Sequence, residues 1–217
     1  IIPCEDASIN GYWWWNLSVL SDWTFQGDVK VKGNLYLKSG EVDLNGYTLT
    51  CLGDFVQTGG ILYLNDSDAG FWNMNINGGE LIGGGSATTL KMFLEPETHY
   101  NIGGNVICGS IYMGEGIDLS ISGSLDLQNQ DIKISNNIFI DVSGSLLLRN
   151  LTLLPNETFR VSGSLSAKDI KIESEAVFIL DGLVNSETFY VQDTGLLTHT
   201  RGEAGFDLTV SGDMTVE

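Results

Sequence analysis

Apolar side chains in the second half of this chain come in pairs with one residue between them, and the pairs recur in phase. Gly104, Gly123, Gly144, Gly163 and Gly182 stand 19, 21, 19 and 19 residues apart and anchor the pattern. Two positions before each glycine are Ile102, Ile121, Val142, Val161 and Leu180; four before are Tyr100, Leu119, Ile140, Phe159 and Phe178. Two and four positions after come Val106 with Cys108, Leu125 with Leu127, Leu146 with Leu148, and Leu165 with Ala167. A third pair follows: Ile111 with Met113, Ile132 with Ile134, Leu151 with Leu153, Ile170 with Ile172, and Phe189 with Val191.

A spacing of two is the mark of a strand with one buried face. Three such pairs at a constant period predict three short strands and three corners per turn of a repeat structure. One turn cannot bury its own inward side chains; a neighbour about 4.8 Å away completes the hydrogen bonds and the core. The pattern therefore predicts an all-β, single-stranded parallel β-helix, or β-solenoid. An antiparallel sandwich also alternates, but gives no reason for three in-phase pairs at one period.

The phase extends outward less regularly. Val29, Val31, Leu35, Leu37, Val42 and Leu44 precede Leu49 and Cys51; Val56, Leu62 and Leu64 are followed by Trp72, Met74 and Ile76; Phe206, Leu208, Val210, Met214 and Val216 resume it near the end. That makes about nine turns and a column roughly 40 Å long. The glycine-rich stretch from Gly78 predicts an irregular loop near 78–95, and His199–Gly205 predicts another at 199–205. Residues 1–26 crowd Tyr12, Trp13, Trp14, Trp15 and Trp23 together. They read as an aromatic N-terminal cap on a helix spanning 27–217, because an uncovered end invites aggregation. The sharper reading is an interaction surface for carbohydrate or another subunit.

Charge narrows the partners. With 28 acidic and 10 basic side chains the formal net charge is -18, which repels nucleic acid and anionic membrane. No apolar run approaches the ~20 residues of a membrane span, so direct membrane insertion is not expected. The chain opens Ile-Ile-Pro-Cys without a basic leader and reads as part of a longer precursor. Cys51 and Cys108 fall on the apolar phase and read as buried small hydrophobes; Cys4 could pair with one of them.

Candidate chemistry is sparse. The nucleotide-binding, zinc-protease and serine-hydrolase motifs are absent, and His99 and His199 read as surface residues. Asp118, Asp126, Asp131, Asp141, Asp169, Asp181, Glu173 and Glu175 could supply a glycosidase pair only if two faced each other across a cleft. Outward acids are equally what a solenoid needs for solubility. Asn65-Asp-Ser-Asp68 gathers oxygen ligands in one turn, making Asn65, Asp66 and Asp68 a candidate calcium set without full calcium-loop spacing; the other reading is a solvated Asx turn. No other cofactor is expected. Asn16, Asn65, Asn150 and Asn156 head glycosylation sequons. Ser122, Ser143 and Ser162 recur at one corner and read as a hydrogen-bonded stack.

The repeated Val-Ser-Gly-Ser-Leu segments of residues 119–182 resemble the haemagglutinin-type repeats of secreted filamentous adhesins. More broadly, the chain is similar to the right-handed parallel β-helices of the pectin-lyase-like fold. The resemblance implies right-handed winding and an extracellular or cell-surface location, with surface modules, other subunits or extracellular glycans as partners. The expected function is a non-enzymatic structural or adhesive module. The alternatives are a carbohydrate-binding or polysaccharide-degrading β-helix and a viral or phage fibre segment.

Overall fold

The computed structural model describes residues 13–200 and 207–217. Among these the chain winds as a parallel β-solenoid whose 29 short strands fall on three faces. In one coil, Ser124–Asp126 lies on face I, Asp131–Ile134 on face II and Phe139–Val142 on face III. Every ladder is parallel and joins a strand to its counterpart one coil away. On face III, Tyr100, Leu119, Ile140, Phe159 and Phe178 are successive register partners. On face I the column runs Val106, Leu125, Leu146, Leu165, Val184; on face II it runs Ile132, Leu151, Ile170, Phe189. The columns meet in one buried core. Burying each large side chain contributes about 1.5–3 kcal/mol, which single coils cannot obtain alone.

The corners explain the glycine anchors. At Gly123, Gly144, Gly163 and Gly182 an added Cβ would overlap the carbonyl oxygen of the anchor glycine one coil earlier. Successive coils touch backbone to backbone there, and only hydrogen fits. The corner between faces II and III works differently, by reversing the chain through left-handed residues: Gly40, Gly60, Gly116, Asn136, Asn137, Asn156, Glu175 and Thr194 all have positive φ.

Several expectations change. The glycine-rich stretch is no irregular loop: Glu80–Ile82 and Ser86–Leu94 are strands in register with both neighbouring coils. Glycines mark its corners, and the strand signal sits in the Thr-rich run. Only His199 and Thr200 of the second expected loop are described. The aromatic segment is itself a coil. Trp13–Trp14, Leu17–Val19 and Trp23–Thr24 pair with Val29–Val31, Leu35–Leu37 and Glu41–Asp43. Counting these extra turns, the described residues give eleven strands along face I and ten along face III.

The phase near residue 72 also differs. Phe55, Gln57, Phe71, Met74 and Ile76 point inward, whereas Val56 and Trp72 point out. The strands Leu49–Gln57 and Asp68–Ile76 run across the corner between faces I and II. In the second the inward phase steps from Phe71 to Met74 at that corner, whereas in the first a bulge between Cys51 and Asp54 adds a residue and the phase is kept. Ile111 and Met113 are only half-buried. No ladder joins Ile111–Met113 to Asp131–Ile134, so face II is interrupted between those two coils.

Candidate contact surface

Outward side chains repeat once per coil, so polar residues on neighbouring coils become ladder partners. Four of the eight candidate acids are used in this way. Asp131 accepts two bonds from Arg149, from Nε at 2.8 Å and from Nη2 at 2.7 Å. The Arg149 bond holds its carboxyl below the usual carboxylate range. Asp181 accepts from the Thr200 hydroxyl and, at 2.6 Å, from the Thr200 backbone N–H, with Arg160 Nε at 3.3 Å. These donors, Thr200 first, likewise depress its pKa. Asp118 meets His99 Nδ1 at 2.9 Å, and Asp169 accepts from Thr188 at 2.7 Å. Within single coils, Asp126 accepts from the Gln128 backbone and Glu173 from Lys171. Asp141 is the face III register partner of Arg160, which turns its Nε to Asp181. Arg160 therefore stands between the two acids that share this wall.

The expected calcium set does not close. Asn65 donates to Asp43 at 2.8 Å, one coil earlier, while Asp68 accepts from Ser86, one coil later. Asn65 and Asp66 have positive φ, as a solvated Asx corner requires. Among the described residues no group of three Asp, Glu, His or Cys side chains could hold a metal ion. The serines are not bonded to one another either: Ser122 donates to Asn101 Oδ1 at 3.1 Å and Ser143 to the Ile121 carbonyl at 3.5 Å.

Of the sequon residues, Asn16, Asn65 and Asn156 are exposed. Asn150 lies within a strand, its Oδ1 buried and without a hydrogen-bond partner. Cys51 and Cys108 are buried free thiols, and burial pushes Cys108 up to about 11; Cys4 lies outside the described residues. An open cleft of ≈ 460 Å³ follows the corner between faces I and II on the later coils. It is lined by Leu147, Ser166, Lys168, Asn185, Glu187 and Thr209, among others.

The aromatic candidates separate by role. Tyr12 and the Trp13 side chain lie outside the described residues. Trp23 is buried against Phe25, with ring centroids 4.5 Å apart, and Trp14 packs on the core from a half-buried position. Trp15, at 78% exposed, stands outside. Register places it at the head of an outward column that sequence reasoning missed: Trp15, Lys32, Leu52, Trp72 and Leu90 occupy one corner on five consecutive coils. Leu52, Trp72 and Leu90 are each more than half exposed. Lys32 lies over the Trp15 ring at 5.5 Å. Beside this corner, face II carries Tyr36, Val56, Asn75, Phe93 and Tyr112 as successive outward partners. Phe93 and Tyr112 stack at 4.9 Å. The signal that could have found this surface is bulky apolar residues in the outward phase, hidden by the phase step between Phe71 and Met74.

No family model, curated protein or solved structure matches this chain. What is shown is the parallel β-solenoid, an architecture common to many extracellular adhesins and lyases, and no narrower kinship. No helix among the described residues is long and apolar enough to cross a membrane.

Proposed function

We propose that this chain is a non-enzymatic structural module of a secreted or cell-surface protein, whose task is to hold a contact surface on a rigid column. One observation carries the reading. Half of the candidate acids are tied to partners on neighbouring coils, as in Asp131 with Arg149 and Asp181 with Thr200 and Arg160. Carboxylates held this way are stabilising rungs; a glycosidase pair needs two acids free to face one substrate bond.

The repeat resemblance to filamentous adhesins and the strongly acidic surface support an extracellular setting. Surface modules, subunits or glycans are the corresponding partners. The test is an activity screen against neutral and acidic polysaccharides, with calcium and with chelator. The expected result is no release of reducing ends or unsaturated products. Turnover that disappears on replacing Asp141 or Asp181 overturns the reading.

A further inference from the structure

We infer that the corner and outer side of face II on the first five coils form a binding platform for an uncharged extended glycan. The inference rests on the reading of this module as a display surface and names its ligand class. Trp15, Leu52, Trp72 and Leu90 stand at 78%, 52%, 59% and 51% exposure along one corner. Their column spans about 20 Å along the solenoid axis at the ~4.8 Å coil spacing. Exposed bulky apolar residues aligned on four of five consecutive coils form a patch, unlike the scattered singles normal on a surface.

Next to the apolar column runs a polar one whose members are already fixed. Asn34 accepts from the Asp54 backbone at 3.0 Å and its Nδ2 reaches the Tyr36 hydroxyl at 3.1 Å. Asn73 Nδ2 donates to Asp54 Oδ1 at 2.8 Å. These contacts leave carboxylate, amide and phenol groups with spare bonding capacity a few ångströms from the apolar column. A pyranose matches this alternation: its C–H face packs on apolar and aromatic surface while its hydroxyls need donors and acceptors at the rim. A protein interface core of the same size would be depleted of charge, and here Asp54, Lys32 and Lys91 interleave with the apolar residues.

Charge selects the glycan. The chain's net charge of -18 opposes a polyanion, and the two lysines within the patch are too few to reverse the field.

The experiment uses the whole chain with cello-, xylo- and manno-hexaose as neutral probes and oligogalacturonate as the anionic one. Binding is followed by calorimetry and tryptophan fluorescence. At least one neutral probe is expected to bind, with affinity falling tenfold or more in Trp72→Ala and unchanged in Leu147→Ala, an exposed apolar position outside the platform. Matching melting temperatures exclude misfolding, and Trp15→Ala gives a second arm should Trp72→Ala not fold. Three results overturn the inference: no neutral probe binds, oligogalacturonate binds better, or binding survives both tryptophan substitutions. Self-association that Trp72→Ala abolishes, without glycan binding, assigns the surface to a second copy and overturns it too. Probe cleavage instead counts against the non-enzymatic reading, so the two failures are distinguishable.

Discussion

The hydroxyl of Tyr100 donates a 3.0 Å hydrogen bond to Oε1 of Gln57, 43 residues away, inside the solenoid. Both side chains are fully buried. Gln57 Nε2 in turn reaches the carbonyls of Gly60 and Glu80 at 3.0 and 3.1 Å. This network links three coils through an otherwise apolar core, and burial pushes the Tyr100 phenol well above its ordinary range, keeping it neutral.

Losing the Tyr100 hydroxyl should therefore be felt as a loss of stability. Tyr100→Phe leaves Gln57 Oε1 without its donor and is expected to lose about 1–3 kcal/mol, the range for orphaning a buried polar group. A double-mutant cycle with Gln57→Leu, read by urea denaturation, should show the pair to be coupled. Additive losses would mean that the bond contributes nothing beyond packing.

The glycine anchors give a sharper contrast. Gly144→Ala must push its Cβ into the Gly123 carbonyl, with Ser122 backbone close behind. The backbone of two coils has to part, and the expected loss is about 3 kcal/mol or more, or failure to fold. Gly70→Ala meets nothing within 4 Å and needs no positive φ. It should be neutral or stabilise by up to about 1 kcal/mol through the unfolded chain. Thermal melts of the two variants side by side check this, and equal losses would contradict the backbone-contact account.

These cases show what was legible in the sequence. The columns through Leu119, Ile140, Phe159 and Phe178 could be read directly, because identical coils stack identical phases. Their glycines were visible as anchors for the same reason. Trp72 was read as inward because the inward phase of its own strand steps from Phe71 to Met74 at the corner, and a one-residue slip exchanges the faces. The stretch beginning at Gly78 looked like a loop because five glycines crowd its first eight residues, although Leu81, Ala87, Met92 and Leu94 keep the core filled. The outer column at Trp15 and Trp72 became visible only once the register of five coils was known. Bonds such as Asn73 to Asp54 depend on side-chain direction, which spacing does not carry.

Asp181 sets an acid limit on stability. Its side chain is only 2% exposed although it lies near the surface, covered by Thr200 and Arg160. Since these donors lower its folded-state pKa, its contribution is full above the unfolded value of about 3.9 and fades as pH falls through the folded value. Asp181→Asn should lower the melting temperature at pH 7 by a few degrees. The difference from the parent should shrink below about pH 4, where the carboxyl protonates first in the unfolded chain and, at lower pH, in the folded one. Calorimetry across pH 2–7 (a working range) measures this; a constant difference would rule out a charge-dependent role.

The cysteines make the last test, because the core must exclude reagent from both thiols. Cys108 has no exposed surface and Cys51 has 2%. Burial raises both pKa values, that of Cys108 to about 11, so at pH 8 the reactive thiolate of Cys108 is a fraction on the order of one in a thousand. Neither should react with an aromatic disulfide reagent while the coils are stacked, and both should react once urea unstacks them. Mass mapping of the labelled peptides separates these two sites from Cys4. Because Cys51 sits on the third coil and Cys108 on the sixth, their labelling midpoints in urea also report cooperativity. Coincident midpoints mean that these coils open as one unit, and an earlier Cys51 midpoint means that the column frays from its aromatic end.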